Sequence, residues 1–112
     1  MKILVITDIE GVNSVLDFAS WCHPAGKYYA QGCLFLTEEV NAVVEGFLQA
    51  DEKAEILVWD GHGEGAIDPK TFHPRASLQK GAPFWPDFGA GFDALAFVGQ
   101  HARAGTVKGH LA

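Results

Sequence analysis

KILVITDIEG, residues 2–11, passes from the apolar run Ile3 to Ile6 straight into two carboxylates, Asp8 and Glu10, separated by one isoleucine. A near-continuous apolar run of this length suits a strand covered on both faces better than an alternating, half-exposed one. Two further runs of the same kind follow, EILVWD at 55–60 and ALAFVG at 94–99. Between the first two lies LFLTEEVNAVVEGFLQAD, residues 34–51, where Leu36, Val40, Val43, Val44, Phe47 and Leu48 recur at helical spacing. Strand, helix and strand joined by a long connection predict parallel strands and a right-handed crossover. The fold class expected is α/β, a mainly parallel sheet with flanking helices.

Other segments read as connections. Residues 11–33 contain Gly11, Pro24, Gly26 and Gly32 among aromatic residues, a long loop of the kind that carries function or subunit contacts. Residues 61–74 begin GHGEG and are broken by Pro69 and Pro74. ASLQKG, 76–81, reads as a short edge strand, and APFWPDFGAGFD, 82–93, as an aromatic loop packed on itself. Thr37 and Glu38 suit a helix N-terminus.

With 112 residues, 48% of them hydrophobic and 20% charged, residues 1–112 are expected to form a single α/β metal-binding domain with a modest core. Lysine and arginine total 8 against 14 aspartates and glutamates, and the net charge of -6 with no basic run argues against nucleic acid as a partner. Asp8 and Glu10 interrupt the first apolar run before it reaches signal-peptide length, and no stretch is long enough to span a bilayer, so no membrane partner is expected. Cys22 and Cys33 form no CxxC pattern. Free thiols and a cytoplasmic location are the expectation.

In a parallel sheet all strands point one way, so the residues just past their C-terminal ends gather along one edge, where such folds bind ligands. Asp8 and Glu10 follow the first run, Asp60 and His62 the second, and His101 the third. Carboxylate oxygen with imidazole nitrogen suits a first-row divalent ion, whose charge the acids offset. Each residue also has a plainer reading. Asp8 and Asp60 suit strand-to-turn caps, Glu10 a surface position, and His101 a satisfied core histidine. His62 lies between two glycines that let backbone approach closely, which favours a ligand role. Asp60 is a candidate to orient the His62 ring from behind. His23 and His73 precede prolines and read as structural or surface groups, and His110 has no supporting context.

TDIEG, LTEEVN, WDGHGEG, FHPRASLQKG and FVGQHARAGT, in this order and spacing, resemble the D-aminopeptidases of the dipeptide-transport operon type, peptidase family M55. The resemblance covers the whole chain. It implies two zinc ions per site, with Asp8 bridging them and Glu10, His62 and His101 as further ligands. It also implies release of N-terminal D-amino acids, D-alanine above all, from short peptides, by a ring-shaped homo-oligomer. The family's catalytic histidine would fall just after Ala112, so no catalytic residue is assigned within the chain, and a further carboxylate ligand lies beyond it. The chain is therefore expected to be the N-terminal part of a longer enzyme. Gln100 stands where the family usually has an aromatic residue. Two other readings stay open: a different binuclear metal hydrolase acting on phosphoester or amide bonds, and a non-catalytic metal-binding or assembly fragment.

Overall fold

The computed structural model describes residues 1–81 and 90–110. Four strands, β1 (Lys2–Thr7), β2 (Glu55–Asp60), β3 (Ser77–Lys80) and β4 (Ala94–Val98), pair in parallel in the order β3-β2-β1-β4. Two helices accompany them, α1 (Phe18–Trp21) and α2 (Tyr29–Ala50). The mainly parallel α/β fold expected from the sequence is the observed one. The 76–81 segment does form an edge strand, over Ser77–Lys80, whereas most of the aromatic 82–93 segment lies outside the described residues.

Register decides where the strands stop. Thr7 pairs with Asp60 on one side and with Val98 on the other, and Asp60 pairs with Lys80. All four strands therefore end in one row, and the residues that follow them emerge side by side. The chain turns from β1 to β2 on one side and places β4 on the other, so this row contains the topological switch point.

One face of the sheet is covered by α2. Leu36, Val40 and Val44, spaced four apart, are fully buried against Ile3, Val5, Ile56 and Val58. Each such side chain contributes about 1.5–3 kcal/mol on leaving water. The helix begins earlier than its hydrophobic spacing predicts, at Tyr29 rather than near residue 34. Gly32 extends the buried stripe, because a Cβ there would meet the Trp21 carbonyl at 3.0 Å and Ile9 Cδ1 at 3.3 Å. Thr37 consequently lies inside the helix and not at its start. Its hydroxyl donates to the Cys33 carbonyl and accepts from the Asp68 amide, tying the 61–76 connection to α2.

Coverage of both sheet faces holds for β1, where Leu4 is fully buried, but not for β4, where Leu95 and Phe97 are 54% and 63% exposed. Among the described residues no helix is long and apolar enough to cross a membrane.

Candidate metal centre

Close backbone contacts build the edge on which the site stands. The Asp8 amide donates to the Val98 carbonyl at 2.9 Å, Gly11 to Gly99 at 2.8 Å, and Gly61 to Thr7 at 3.0 Å. Glycine is required at these approaches. A Cβ on Gly99 would lie 2.1 Å from the Asp8 carbonyl oxygen, and Gly99 has φ +72. A Cβ on Gly11 would lie 2.2 Å from the Gln100 oxygen. The loops after β1, β2 and β4 are thereby stitched together, and Asp8 and Glu10 face the loop that carries His62.

Asp8, Glu10 and His62 each offer a ligand atom, and those atoms lie within 4.8 Å of one another. Glu10 is 2% exposed, yet among the described residues neither of its carboxylate oxygens has a hydrogen-bond partner. A buried carboxylate without partners is costly unless a cation or a proton neutralises it. Two carboxylates and an imidazole around one point are the donor set a divalent ion takes. The residues present therefore fit a metal.

His62 is held at both nitrogens. Nδ1 lies 3.1 Å from Asp8 Oδ1 and 3.7 Å from Glu10 Oε1, while Nε2 lies 2.7 Å from the Cys22 carbonyl oxygen. A carbonyl only accepts, so Nε2 carries a proton and Nδ1 is the nitrogen turned toward the acids. Asp60 has a different part from the one expected of it. Its Oδ2 accepts from the amides of Ala66 and Ile67 at 2.8 and 2.9 Å, with Lys80 Nζ at 3.9 Å. Asp60 thus folds the loop that presents His62, and the group that orients the ring is the Cys22 carbonyl.

His101 stands at the rim, 43% exposed, with Nε2 3.8 Å from Asp8 Oδ2. Its Nδ1 donates to the Ala102 carbonyl at 2.7 Å, which leaves Nε2 as the free lone pair. The two oxygens of Asp8 thus face different partners, Oδ1 toward His62 and Oδ2 toward His101.

The electrostatics match this crowding. Burial, then the neighbouring Asp8, pushes Glu10 up to about 7. Burial also acts to raise Asp8, but the His62 hydrogen bond, the neighbouring Glu10 and the Ile9 amide outweigh it and hold that carboxyl below its ordinary value. The Asp8 hydrogen bond raises His62 against the effect of burial.

The 11–33 segment holds α1 and the start of α2 and packs beside the site through Cys22, whose carbonyl meets His62. Asp17 caps α1 by accepting from the Ser20 amide at 2.7 Å. Trp21 packs on Tyr28 and Phe35, ring centroids 4.9 and 6.0 Å away. Cys22 is fully buried behind it, and burial pushes its thiol up to about 12. Cys22 and Cys33 are both free thiols. Tyr29 donates its hydroxyl to the Gly65 carbonyl and so ties α2 to the His62 loop.

A cleft of ≈ 340 Å³ opens onto the cluster, with Asp8, Glu10, His62 and His101 in its wall. His110 is not part of that wall. His23 is, although the sequence suggests a structural or surface part for it. No local signal marks it, because it reaches the cleft through the packing of the 11–33 segment. A larger cavity of ≈ 460 Å³ lies at the opposite strand edge, among Lys2, Glu55 and Arg75. It contains none of the candidate ligands.

The fold and the cluster define a parallel α/β domain with a carboxylate–imidazole centre at its switch point. The chain belongs to the peptidase M55 family, described as D-aminopeptidase, whose sequence profile matches residues 1–112. It is similar in structure to the Zn-dependent D-aminopeptidase DppA from Bacillus subtilis, described as a self-compartmentalizing protease, with a TM-score of 0.85 and 30% identity. That match covers 97% of this chain and 40% of the DppA chain. The chain thus spans less than half the length of the protein it resembles. Comparison with curated protein sequences finds no match.

Proposed function

We propose that this chain forms the metal-binding part of a zinc-dependent aminopeptidase that removes N-terminal D-amino acids, D-alanine in particular, from short peptides. The observation that carries the reading is the buried carboxylate of Glu10, with no hydrogen-bond partner among the described residues, beside Asp8 and His62 at the switch point of an M55 sheet. Asp8 would hold the metal centre, with its Oδ1 3.1 Å from His62 Nδ1 and its Oδ2 3.8 Å from His101 Nε2. This divergence suits a carboxylate shared by two ions. Zinc bound there would supply Lewis acidity toward a peptide carbonyl and toward water at neutral pH.

The chain's own residues set the conditions for that chemistry. The Cys22 carbonyl fixes the His62 tautomer so that Nδ1 offers its lone pair inward, and the Ala102 carbonyl does the same for His101 Nε2. Burial of Asp8 and Glu10 keeps bulk water from screening them. A ring-shaped homo-oligomer and a cytoplasmic setting belong to the same proposal, as does the reading of residues 1–112 as one metal-binding domain of a longer enzyme.

The test is turnover by full-length, zinc-loaded protein on D-alanyl dipeptides, L-alanyl dipeptides and a generic phosphoester. Release of D-alanine from the first alone is expected. Activity on the phosphoester alone would favour another binuclear hydrolase, and inertness to all three would end the peptidase reading.

A further inference from the structure

The first turn of α2, from Tyr29 to Cys33, precedes the apolar spacing that packs the helix on the sheet. Gly32 is its one fully buried residue and has no side chain to give to the core. What this turn touches are the two supports of His62.

Tyr29 is half-buried and meets the His62 loop twice. Its hydroxyl donates to the Gly65 carbonyl. Its ring lies tilted against the His62 ring with centroids 6.4 Å apart, inside the span of about 4.5–7 Å over which aromatic rings contact. Burial raises the hydroxyl above its ordinary value, so it stays a donor at neutral pH. Gly65 is the residue that closes the turn, since its amide donates back to the His62 carbonyl at 2.8 Å. Gly65 has φ +78, and Lys80 Nζ and Asp60 Oδ2 lie 3.2 and 3.5 Å from where a Cβ would stand. The loop is thus gripped on both sides of His62's turn, by Asp60 at the Ala66 and Ile67 amides and by Tyr29 at the Gly65 carbonyl.

Gly32 reaches the other support. A Cβ there would stand 3.0 Å from the Trp21 carbonyl oxygen. The next carbonyl along the chain is that of Cys22, which accepts from His62 Nε2 at 2.7 Å. A single helical turn therefore braces both the loop that presents His62 and the segment whose carbonyl chooses its tautomer.

We infer that the first turn of α2 is a positioning element for the metal centre, in which the Tyr29 hydroxyl holds the His62 loop so that Nδ1 stays turned toward Asp8 and Glu10. Tyr29 acts through His62 and is neither a ligand nor a catalytic residue. The inference rests on the metal centre of the proposed aminopeptidase and adds to it a residue that sets affinity from behind a ligand. Its physical basis is that a ligand already held in place loses less conformational freedom when an ion binds.

Tyr29→Phe keeps the ring and removes only the hydroxyl. The full-length protein loaded with cobalt(II) gives the readout, because the visible bands of that ion report ligand geometry. Cobalt affinity, measured by competition with a chelator, is expected to fall about fivefold, within the worth of one neutral hydrogen bond, and the bands to shift. Val44→Ala cuts a fully buried contact of the same helix against the sheet and lowers the melting temperature at least as much. It is expected to keep cobalt affinity within about twofold of the parent protein, as a change remote from the centre should, with the bands in place. In the metal-free protein, exchange of the Gly65 amide relative to the β1 core amides is expected to quicken in Tyr29→Phe alone.

Parent-level affinity and bands in Tyr29→Phe, unchanged Gly65 exchange, equal losses in both variants, or a parent protein that takes up no cobalt would overturn the proposal. Turnover of D-alanyl-D-alanine is followed separately. Cobalt binding that depends on the Tyr29 hydroxyl without turnover sinks the aminopeptidase reading and leaves Tyr29 in place, whereas turnover with parent-level cobalt affinity in Tyr29→Phe does the reverse.

Discussion

His62 is clamped between Asp8 and Cys22, with Nδ1 3.1 Å from the Asp8 carboxylate and Nε2 2.7 Å from the Cys22 carbonyl oxygen. One contact points the ring at the acids and the other chooses the nitrogen that faces them. The loop that supplies the carbonyl and the strand end that supplies the acid are forty residues and fifty-four residues from His62 in sequence.

Removing Asp8 takes away the oxygens that face both imidazoles. In Asp8→Ala, zinc measured by elemental analysis after dialysis is expected to fall to background, while the fold persists by circular dichroism. Zinc retained at the parent level would refute the assignment of the centre.

Proton linkage gives the metal-free protein a characteristic pH dependence. Glu10 lies near 7 in the fold against 4.5 ordinarily, so its neutral form stabilises the fold fully below the ordinary value, and this contribution is lost as pH rises through about 7. His62 is also raised, from 6.5, and loses its contribution in the same direction. Asp8 is lowered from 3.8, so its contribution is present above that value and is lost only on acidification below it. The melting temperature of chelator-treated protein is therefore expected to fall between about pH 5 and pH 8. Glu10→Gln should flatten that fall, and saturating zinc should raise the melting temperature most at the alkaline end. A profile identical in parent and Glu10→Gln proteins would exclude Glu10 as the titrating group.

Asp60 offers a contrast between holding the loop and holding the metal. Asp60→Ala leaves the Ala66 and Ile67 amides without their acceptor in a buried setting, a loss of about 2–3 kcal/mol by urea unfolding. Zinc stoichiometry is expected to stay at the parent level even though affinity drops. Abolished binding in a folded Asp60→Ala protein would make Asp60 a ligand after all.

Two glycine substitutions separate tight backbone from open helix. Gly99→Ala places a Cβ 2.1 Å from the Asp8 carbonyl oxygen at positive φ, and a loss of at least about 2 kcal/mol is expected, together with displacement of Asp8 and loss of zinc. Gly46 lies in α2 with nothing within 4 Å of a Cβ. Gly46→Ala should gain about 0.5–1 kcal/mol with zinc unchanged.

Thiol reactivity provides a further check. Burial pushes Cys22 to about 12, so almost none of it is thiolate at pH 8. Alkylation is expected only after unfolding, and fast labelling of Cys22 in the native protein would mean that the 11–33 connection opens readily.

Hydrophobic spacing makes β1, β2 and β4 visible, and the strands in turn place Asp8, Glu10, His62 and His101 past their ends. The start of α2 is less legible, because Gly32 buries the helix by close approach and contributes no apolar side chain to the pattern. Thr37 looks like a cap for the same reason. Asp60 misleads because a carboxylate two residues from a histidine does not reveal whether it bonds the ring or the backbone beyond it.

Residue order alone therefore specifies a parallel α/β sheet and a carboxylate–imidazole edge, since strand periodicity and strand ends are properties of short contiguous segments. The orientation of His62 by Cys22, the opposed facing of the two Asp8 oxygens and the arrival of His23 in the cleft depend on loops that follow different strands packing against one another. Those contacts are set by glycine approaches, by Trp21 against α2 and by backbone hydrogen bonds between distant residues, none of which leaves a period in the chain.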